Sequence, residues 1–256
     1  MAINEKLEFA KKVVYESGEL IRKQMSESLT IDTKQNKHDF VTNVDKSTEV
    51  YIVKQIKDNY ENQDFITEEK SVSYLGNSQV WILDPIDGTT NFIYQKQNFA
   101  VSLAYYEGGK PVFGIVYDVT RDEMFVGVNG EGSFLNEKIL SSLDMSTRLD
   151  DAIVSSDLPT LRLFDESLES KMMVHRYVGA AAIDTCNIAA GRTNVYIARR
   201  LNVWDIAAAN IILNEVCGKS SIDGDETLKL VTHPVVYIAA SNDEILKDLL
   251  ELYKGK

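Results

Sequence analysis

The chain has 256 residues, enough to bury a large core as one domain or as two tightly packed parts. Its 44% hydrophobic and 26% charged residues are typical of a globular protein and exclude a disordered or fibrous chain. The formal net charge of -12 repels nucleic-acid backbones and anionic membranes, so we expect neither as a partner. An acidic protein that acts on an anionic substrate needs local cations, which bound metal ions can supply.

Two further features bear on the compartment. The first residues alternate between charged and apolar without the hydrophobic region of a signal peptide, and no apolar run reaches membrane-spanning length. We therefore expect a cytoplasmic protein. Cys186 and Cys217 are too few for a disulfide framework, and we expect both to be buried thiols.

We expect His38, His175 and His233 to be structural or surface groups rather than catalytic ones.

In chain order, the N-terminal part predicts two helices followed by strands. Apolar residues at helical spacing predict helices over about 4–25 and 46–59. The apolar runs 65–67 and 80–83 predict strands that end at acidic residues. Three alternating segments predict an antiparallel meander, at 99–106, 112–118 and 124–128.

The C-terminal half alternates predicted strands with predicted helices. The strands are expected at 152–155, 195–197 and 235–239, and the helices at 180–190, 205–216 and 243–252. We place a soft boundary near 143–149. The prediction is an N-terminal α+β part, 1–145, and a C-terminal α/β part, 146–256, that pack tightly as one catalytic unit.

Four acidic residues lie at predicted junctions of these elements: Glu68, Asp84, Asp87 and Asp205. Any one of them alone would more often be a helix cap, a turn former or a surface charge. Asp84 and Asp87, however, flank a proline directly after an apolar strand, so they can point at one place with the Ile86 carbonyl between them. Hard cations such as Mg²⁺ prefer such oxygen ligands. The residues alone therefore indicate a hard-metal site at a strand end.

The residues that follow suit a phosphate group. Gly88 allows a tight turn beside a ligand. Thr89 and Thr90 offer hydroxyls and amides at the start of a helix, where anions are favoured.

Five blocks of the sequence resemble the inositol monophosphatase family. Residues 84–92 resemble its first signature and 204–209 its second, and supporting blocks occur in order at 39–45, 67–69 and 179–182. The resemblance spans about residues 5–245. It implies an α+β fold, the layered α-β-α-β-α sandwich of the inositol monophosphatase and fructose-1,6-bisphosphatase type. It also implies a homodimer, lithium sensitivity and two or three Mg²⁺ ions, with Mn²⁺ as an alternative.

The resemblance also implies roles for single residues. The metal ligands would be Glu68, Asp84, the Ile86 carbonyl, Asp87 and Asp205, with Asp84 bridging two ions. The catalytic residues would be Glu68 and Thr89, which orient the attacking water, and Asp45, which helps to position a third metal. The substrate-binding residues would be Asp87, Gly88, Thr89, Gly179, Ala180, Ala181, Arg199 and Asp205.

Three departures from the family pattern bear on the substrate. Inositol-specific members often carry a sugar-binding acid seven residues before the second-signature aspartate, where this chain has Ala198 followed by Arg199 and Arg200. The arginines either form an anion clamp or face solvent or a subunit boundary. The segment 93–99 lacks the usual histidine and proline, and Ala180 replaces a small hydroxyl residue.

Three functions therefore remain open. The first is Mg²⁺-dependent hydrolysis of small phosphate monoesters of the inositol monophosphate type. The second, suggested by Arg199 and Arg200, is a phosphatase for a bisphosphorylated sugar or a nucleotide such as fructose 1,6-bisphosphate or NADP. The third is a regulatory binding protein that retains the phosphatase fold.

Overall fold

A computed structural model of the chain describes residues 2–26, 30–33, 40–230 and 233–255. His38 and Asp39, on which predictions were made, lie outside these residues. The N-terminal half contains helices α1 (Ala2–Gln24), α2 (Asn43–Asn59) and α3 (Thr89–Tyr94), and strands β1 (Ile31–Thr33), β2 (Phe40–Thr42), β3 (Asp64–Thr67), β4 (Gln79–Asp87), β5 (Ala100–Glu107), β6 (Lys110–Asp118), β7 (Glu123–Val128), β8 (Gly132–Leu135) and β9 (Lys138–Ile139).

The C-terminal half alternates strands and helices, as the sequence predicts. Its strands are β10 (Ile153–Ser156), β11 (Val174–Arg176), β12 (Val195–Leu201), β13 (Lys219–Ile222) and β14 (Val235–Ala240). Its helices are α4 (Leu158–Leu161), α5 (Ala181–Ala189), α6 (Val203–Asn214) and α7 (Asp243–Leu252), with short 3₁₀ turns at Leu149–Asp151 and Glu166–Lys171.

Two larger sheets organise these elements. The seven-stranded sheet has the order β3-β4-β5-β6-β7-β8-β9, in which β3 and β4 are parallel and the rest antiparallel. The five-stranded sheet has the order β11-β10-β12-β14-β13, with β10 parallel to both of its neighbours. The predicted meander is confirmed in β5, β6 and β7.

Alternating side chains place each sheet between two helical layers. In β4, Trp81 and Leu83 pack towards α1 and α2, while Val80 and Ile82 pack towards α5 and α6. In β12, alternate side chains likewise face the α5–α6 layer or the outer layer that contains α7. Because strand side chains alternate with period two, apolar residues on both faces require this burial on both sides. The predicted α-β-α-β-α sandwich is confirmed.

Helix α6 lies directly against the backbone of the seven-stranded sheet. A Cβ atom at Gly114 in β6 would lie 2.4 Å from the carbonyl oxygen of Ala208, and one at Gly127 in β7 would lie 2.7 Å from the Cα of Ile212. Glycine is therefore required at both positions, because a side chain would push the helix away from the sheet.

The structure corrects several predicted details. Strand β4 continues through Pro85 to Asp87 with a change of register between Asp84 and Asp87, so these acids lie within an irregular strand rather than after it. Helix α6 begins two residues before Asp205, which is its third residue. Cys186 is buried as expected, but Cys217 is exposed, and the prediction for it was wrong.

None of the helices in the described ranges is both long and apolar enough to cross a membrane. The division into parts 1–145 and 146–256 stays a prediction. The layer formed by α5 and α6 contacts both large sheets, so the two halves share one central core.

Candidate active site

The carboxyl ends of β3 and β4 bring two acids together. The strands are parallel with Thr67 opposite Leu83, and the Glu68 N–H donates to the Leu83 carbonyl at 3.2 Å. Glu68 therefore follows its strand beside Asp84. The Asp84 carboxyl is 2% exposed and hydrogen-bonds the side chain of Glu68. Burial, and then the neighbouring acids, raises the pKa of Asp84 well above its ordinary value.

The irregular end of β4 directs Asp87 towards helix α5. The Ile86 N–H donates to Asp84 Oδ1 at 3.0 Å, which fixes the turn between the two aspartates. Asp87 Oδ1 and Oδ2 accept hydrogen bonds from the Ala181 and Ala182 N–H groups, at 3.1 and 2.7 Å. Burial raises the pKa of Asp87 to about 7, although these two amides oppose the shift.

Asp205 approaches the same place from α6. Its Oδ2 accepts a hydrogen bond of 2.6 Å from the backbone N–H of Asn202, the residue that caps the helix. The residue as a whole is partly exposed, but desolvation of the carboxyl, followed by the charges of Glu68 and Asp87, raises its pKa. A hydrogen bond with Asp84 opposes that shift. The structure thus brings together all four acids that the sequence singled out.

The chemistry of this donor set fits a hard cation. Within the described part of the chain, Asp84, Asp87 and Asp205 make no ion pair with a Lys, Arg or His side chain. Buried carboxylates without a counter-ion are costly, which is why their pKa values rise. A divalent cation would supply the missing positive charge.

The geometry is not that of a closed metal cage. Among the described residues, no three or more His, Cys, Asp or Glu side chains are placed so that together they hold one metal ion. Mg²⁺ retains several of its waters and is commonly held by only one or two carboxylates. Any ion held by these acids would therefore keep part of its water shell.

Thr89 and Asp45 form the wall next to Ile86. The Thr89 hydroxyl lies 3.2 Å from Asp45 Oδ1 and 3.1 Å from the Ile86 carbonyl, either of which can accept its proton. Asp45 is fully buried at the start of α2, where its Oδ2 accepts hydrogen bonds from the backbone N–H and the hydroxyl of Thr42. This capping box fixes the carboxylate that Thr89 faces.

Gly88 links β4 to α3 in a left-handed conformation. Its φ is 90°, and a Cβ there would lie 3.0 Å from both the Ala180 Cβ and the Asn98 carbonyl oxygen. Gly179 (φ 83°) lies on the facing loop, and its N–H donates to the buried Asp184 at 3.2 Å. Asn91 joins the two segments by donating to the Val178 carbonyl at 2.8 Å.

A cavity of about 260 Å³ opens beside the acids. Asp87, Asp205, Gly179, Ala181 and Arg199 line it, together with Asp157, Tyr177, Tyr196, Ile197, Ala198 and Leu201. These include five residues that the sequence assigned to substrate binding. A break in register at the end of β12 leaves the exposed Arg200 at φ 64° between Arg199 and Leu201. Such a bulge re-aims neighbouring side chains, here at the cavity rim.

Three acids that support or line the site were missed from the sequence. Glu49 on α2 accepts hydrogen bonds from residues on both sides of Glu68. Asp184 on α5 supports the Gly179 loop, and Asp157 lines the cavity. Glu49 lies on the same buried face of α2 as Asp45, Ile52 and Ile56. An acidic residue on an otherwise apolar helix face could therefore have identified Glu49 from the sequence.

Comparison with known proteins identifies one family over nearly the whole chain. The sequence model described as the inositol monophosphatase family matches residues 3–253. The inositol-1-monophosphatase of Bacillus subtilis (strain 168) is 38% identical over 256 residues, which cover 96% of this chain and 95% of that protein.

Solved structures agree with the sequence comparison. The crystal structure of SaIMPase-II bound to inositol monophosphate has a TM-score of 0.85 at 30% identity, covering 99% of this chain and 93% of that one. The structure of an IMPase/NADP phosphatase complexed with Mg²⁺ and phosphate has a TM-score of 0.90 at 25% identity, with coverages of 98% and 96%. The resemblance seen in the sequence therefore extends over nearly the whole fold.

Proposed function

Because the chain belongs to the inositol monophosphatase family, and is thus a phosphoric monoester hydrolase, we propose that it hydrolyses small phosphate monoesters of the inositol monophosphate type with Mg²⁺. The observation that supports this most is the convergence of Glu68, Asp84, Asp87 and Asp205 at one edge of the central layers. That convergence needs positive charge, which Mg²⁺ provides.

The side chains of these four acids and the Ile86 carbonyl would hold the ions. Asp84 hydrogen-bonds the side chains of both Glu68 and Asp205, so its central place suits a carboxylate that bridges two ions. When bound, Mg²⁺ lowers the pKa of water and neutralises charge on the phosphoryl group and the leaving oxygen. Mn²⁺ has the same preference for oxygen ligands and is an alternative.

The chain's own residues would position the water and the phosphate. Thr89, held between Asp45 and the Ile86 carbonyl, orients the attacking water together with Glu68. The amides of Gly88 and Thr89 hold phosphate oxygens at the start of α3. The loop from Gly179 to Ala181 contacts the rest of the substrate, because it lines the cavity beside Asp87.

A second candidate substrate class is a bisphosphorylated sugar or a nucleotide. Ala198 offers no side-chain acceptor for a sugar hydroxyl, whereas Arg199 adds a cation to the same cavity. A guanidinium binds a second phosphate in a fork geometry that a hydroxyl-rich substrate does not need. The likeness to an IMPase/NADP phosphatase supports this alternative.

The proposed function is tested by phosphate release from inositol 1-phosphate, fructose 1,6-bisphosphate and NADP with and without Mg²⁺. We expect Asp87→Asn to abolish the Mg²⁺-dependent rate, because the ligand charge is lost while the side-chain shape is kept. Asp58→Asn, which changes an exposed acid paired with Lys54, is the matched control and should retain full activity. Near-normal turnover by folded Asp87→Asn would overturn the metal assignment.

Family membership supports further proposals about the protein's state. These are a homodimer, lithium inhibition and a cytoplasmic location. A regulatory binding role stays a prediction, and isolation of a stoichiometric protein partner would test it.

A further inference from the structure

An aromatic ring stands at the mouth of the substrate cavity. Two tyrosines line that cavity together with Asp87 and Asp205, and they differ in accessibility. Tyr196 is 4% exposed and is part of the central core, whereas Tyr177 is 60% exposed. A large apolar ring left in water beside a phosphate site offers a surface to the part of a substrate that carries the phosphate.

The backbone on both sides of Tyr177 is fixed. Residue 177 follows β11, which is parallel to β10 and is tied to it by a 2.8 Å contact between His175 Nε2 and the Ser156 carbonyl. On its other side, the Val178 carbonyl accepts a hydrogen bond of 2.8 Å from Asn91. The ring therefore projects from an anchored backbone segment.

The ring lies next to the Gly179 loop. A Cβ at Gly179 would lie 3.5 Å from both Cε1 and Cζ of Tyr177, so the absence of a side chain at Gly179 leaves room beside the ring. The remaining surface of the ring accounts for its exposure. An aromatic ring that is this exposed can stack with a planar group.

Polar groups around the ring suit a sugar that bears a base. Asp157 lines the same cavity, is partly exposed, and uses Oδ1 to accept a hydrogen bond of 2.5 Å from the Thr160 N–H. Its other oxygen is available to accept a hydrogen bond from a ribose hydroxyl. This acceptor compensates for Ala198, which has none.

We propose that Tyr177 is a stacking platform for the base of a nucleoside monophosphate whose phosphate lies at the four acids. Asp157 accepts a hydrogen bond from the ribose on the same side of the cavity. The inference rests on the proposed phosphatase function and names the leaving group that the site selects. Every nucleobase has an aromatic face, whereas a polyol such as inositol has none. Tyr177 therefore strengthens the binding of nucleoside monophosphates and not that of inositol phosphates.

The test compares steady-state hydrolysis of adenosine 2'-phosphate and inositol 1-phosphate, with Mg²⁺, by the full-length protein. We expect Tyr177→Ala to raise KM for adenosine 2'-phosphate by about five- to tenfold, the lower part of the range for base–aromatic stacking. Its kcat/KM for inositol 1-phosphate should change less than about twofold, which is within the usual scatter for a surface substitution. Tyr177→Phe, which keeps the ring, should restore the KM for the nucleotide.

Tyr15→Ala is the matched control, since Tyr15 is 45% exposed on α1 in the outer layer, and it should leave both substrates unaffected. Equal losses on both substrates, no loss on either, or failure of Tyr177→Phe to restore the nucleotide KM would overturn the stacking role. Wild-type hydrolysis of inositol 1-phosphate without hydrolysis of adenosine 2'-phosphate would overturn this inference and leave the proposed function standing. Hydrolysis of neither substrate would overturn both.

Discussion

The fully buried carboxylate of Glu49 on α2 accepts a hydrogen bond of 2.9 Å from the hydroxyl of Thr67, the last residue of β3. The same carboxylate accepts hydrogen bonds from the Glu69 and Ser71 N–H groups, at 2.8 and 2.7 Å. Glu49 therefore fixes the chain on both sides of Glu68. The direction of a candidate metal ligand thus depends on a residue from another helix.

We expect Glu49→Gln to weaken Mg²⁺ activation and to lower stability. Glutamine keeps the size of the side chain but replaces one acceptor oxygen with a donor, so one of these donor groups loses its partner. The loss should be about 1–3 kcal/mol in the free energy of unfolding. Denaturant unfolding measures this loss, and a titration of activity with Mg²⁺ measures the change in half-maximal metal concentration.

Asp64→Asn is the control for this experiment. Asp64 lies at the start of β3 and accepts hydrogen bonds from the Leu75 and Asn77 N–H groups, at 2.9 and 2.8 Å. Its replacement should cost comparable stability without changing the Mg²⁺ requirement. If both variants need the same Mg²⁺ as the wild type, Glu49 does not position Glu68.

Gly88→Ala and Gly224→Ala should separate backbone strain from steric conflict. Both glycines have φ of 90°, but a Cβ at Gly224 meets nothing within 4 Å, whereas one at Gly88 lies 3.0 Å from Ala180 and Asn98. The left-handed conformation alone should cost about 1–2 kcal/mol in each variant. Gly88→Ala should lose more stability than this and nearly all activity, because the loops on both sides of the site must move apart. Equal unfolding free energies for the two variants would contradict the crowding at Gly88.

Asp184 should make the stability of the metal-free protein depend on pH. Burial raises the pKa of this carboxyl from 3.8 to about 6, against the opposing hydrogen bonds from Ser155, Gly179 and Ala180. Its contribution is present below the unfolded pKa and is lost as pH rises through the folded pKa. The shift corresponds to about 3 kcal/mol at most.

The measurement is chemical unfolding between about pH 4 and pH 7 in the presence of a chelator, the window in which the charge of Asp184 changes. The free energy of unfolding of the wild type should fall across this window more steeply than that of Asp184→Asn. Other buried acids contribute to both proteins, but the charge of Asp184 also raises the pKa of Asp87, so Asp87 contributes to the difference between the two slopes. Identical slopes would show that folding does not change the pKa of Asp184.

Arg199→Ala tests the anion clamp. We expect a loss of roughly tenfold or more in kcat/KM for fructose 1,6-bisphosphate and NADP, as for a hydrogen bond to a charged group, and no loss for inositol 1-phosphate. Arg200→Ala is the control, because Arg200 is the exposed neighbour in the bulge and does not line the cavity. Unaltered rates on all three substrates would leave Arg199 as a surface residue.

Much of the fold follows from the periodicity of side chains. The helical spacing of α1 and the alternation in β5 and β6 predict these three elements to within a few residues, because their faces are buried against other layers. Strand β13 was missed since Ser220 and Ser221 are buried polar residues in it. The Ser220 hydroxyl is satisfied by Asn210 at 2.7 Å, a partner that only the folded chain supplies.

The acids of the site were found because each lies at a predicted junction, either after an apolar strand or at the start of an apolar helix, but their local geometry was not predictable. A proline within a strand normally argues against the strand. Pro85 is tolerated since the register changes between Asp84 and Asp87, where no ladder hydrogen bond is required of it. The contact of Asp87 with the start of α5 is likewise a tertiary relationship, joining residues 94 and 95 positions apart in the chain.

The close approach of α6 to Gly114 has a consequence for how this site tolerates change. Asp205 lies one turn before Ala208, whose backbone touches the sheet at Gly114. A methyl group at position 114 would tilt α6 and move the Asp205 carboxylate away from Asp84 and Glu68. These two acids are held by strands of the seven-stranded sheet and would not move with the helix. The distance between Asp205 and the acids of the sheet therefore depends partly on the missing side chain of Gly114, a residue with no role in the chemistry itself.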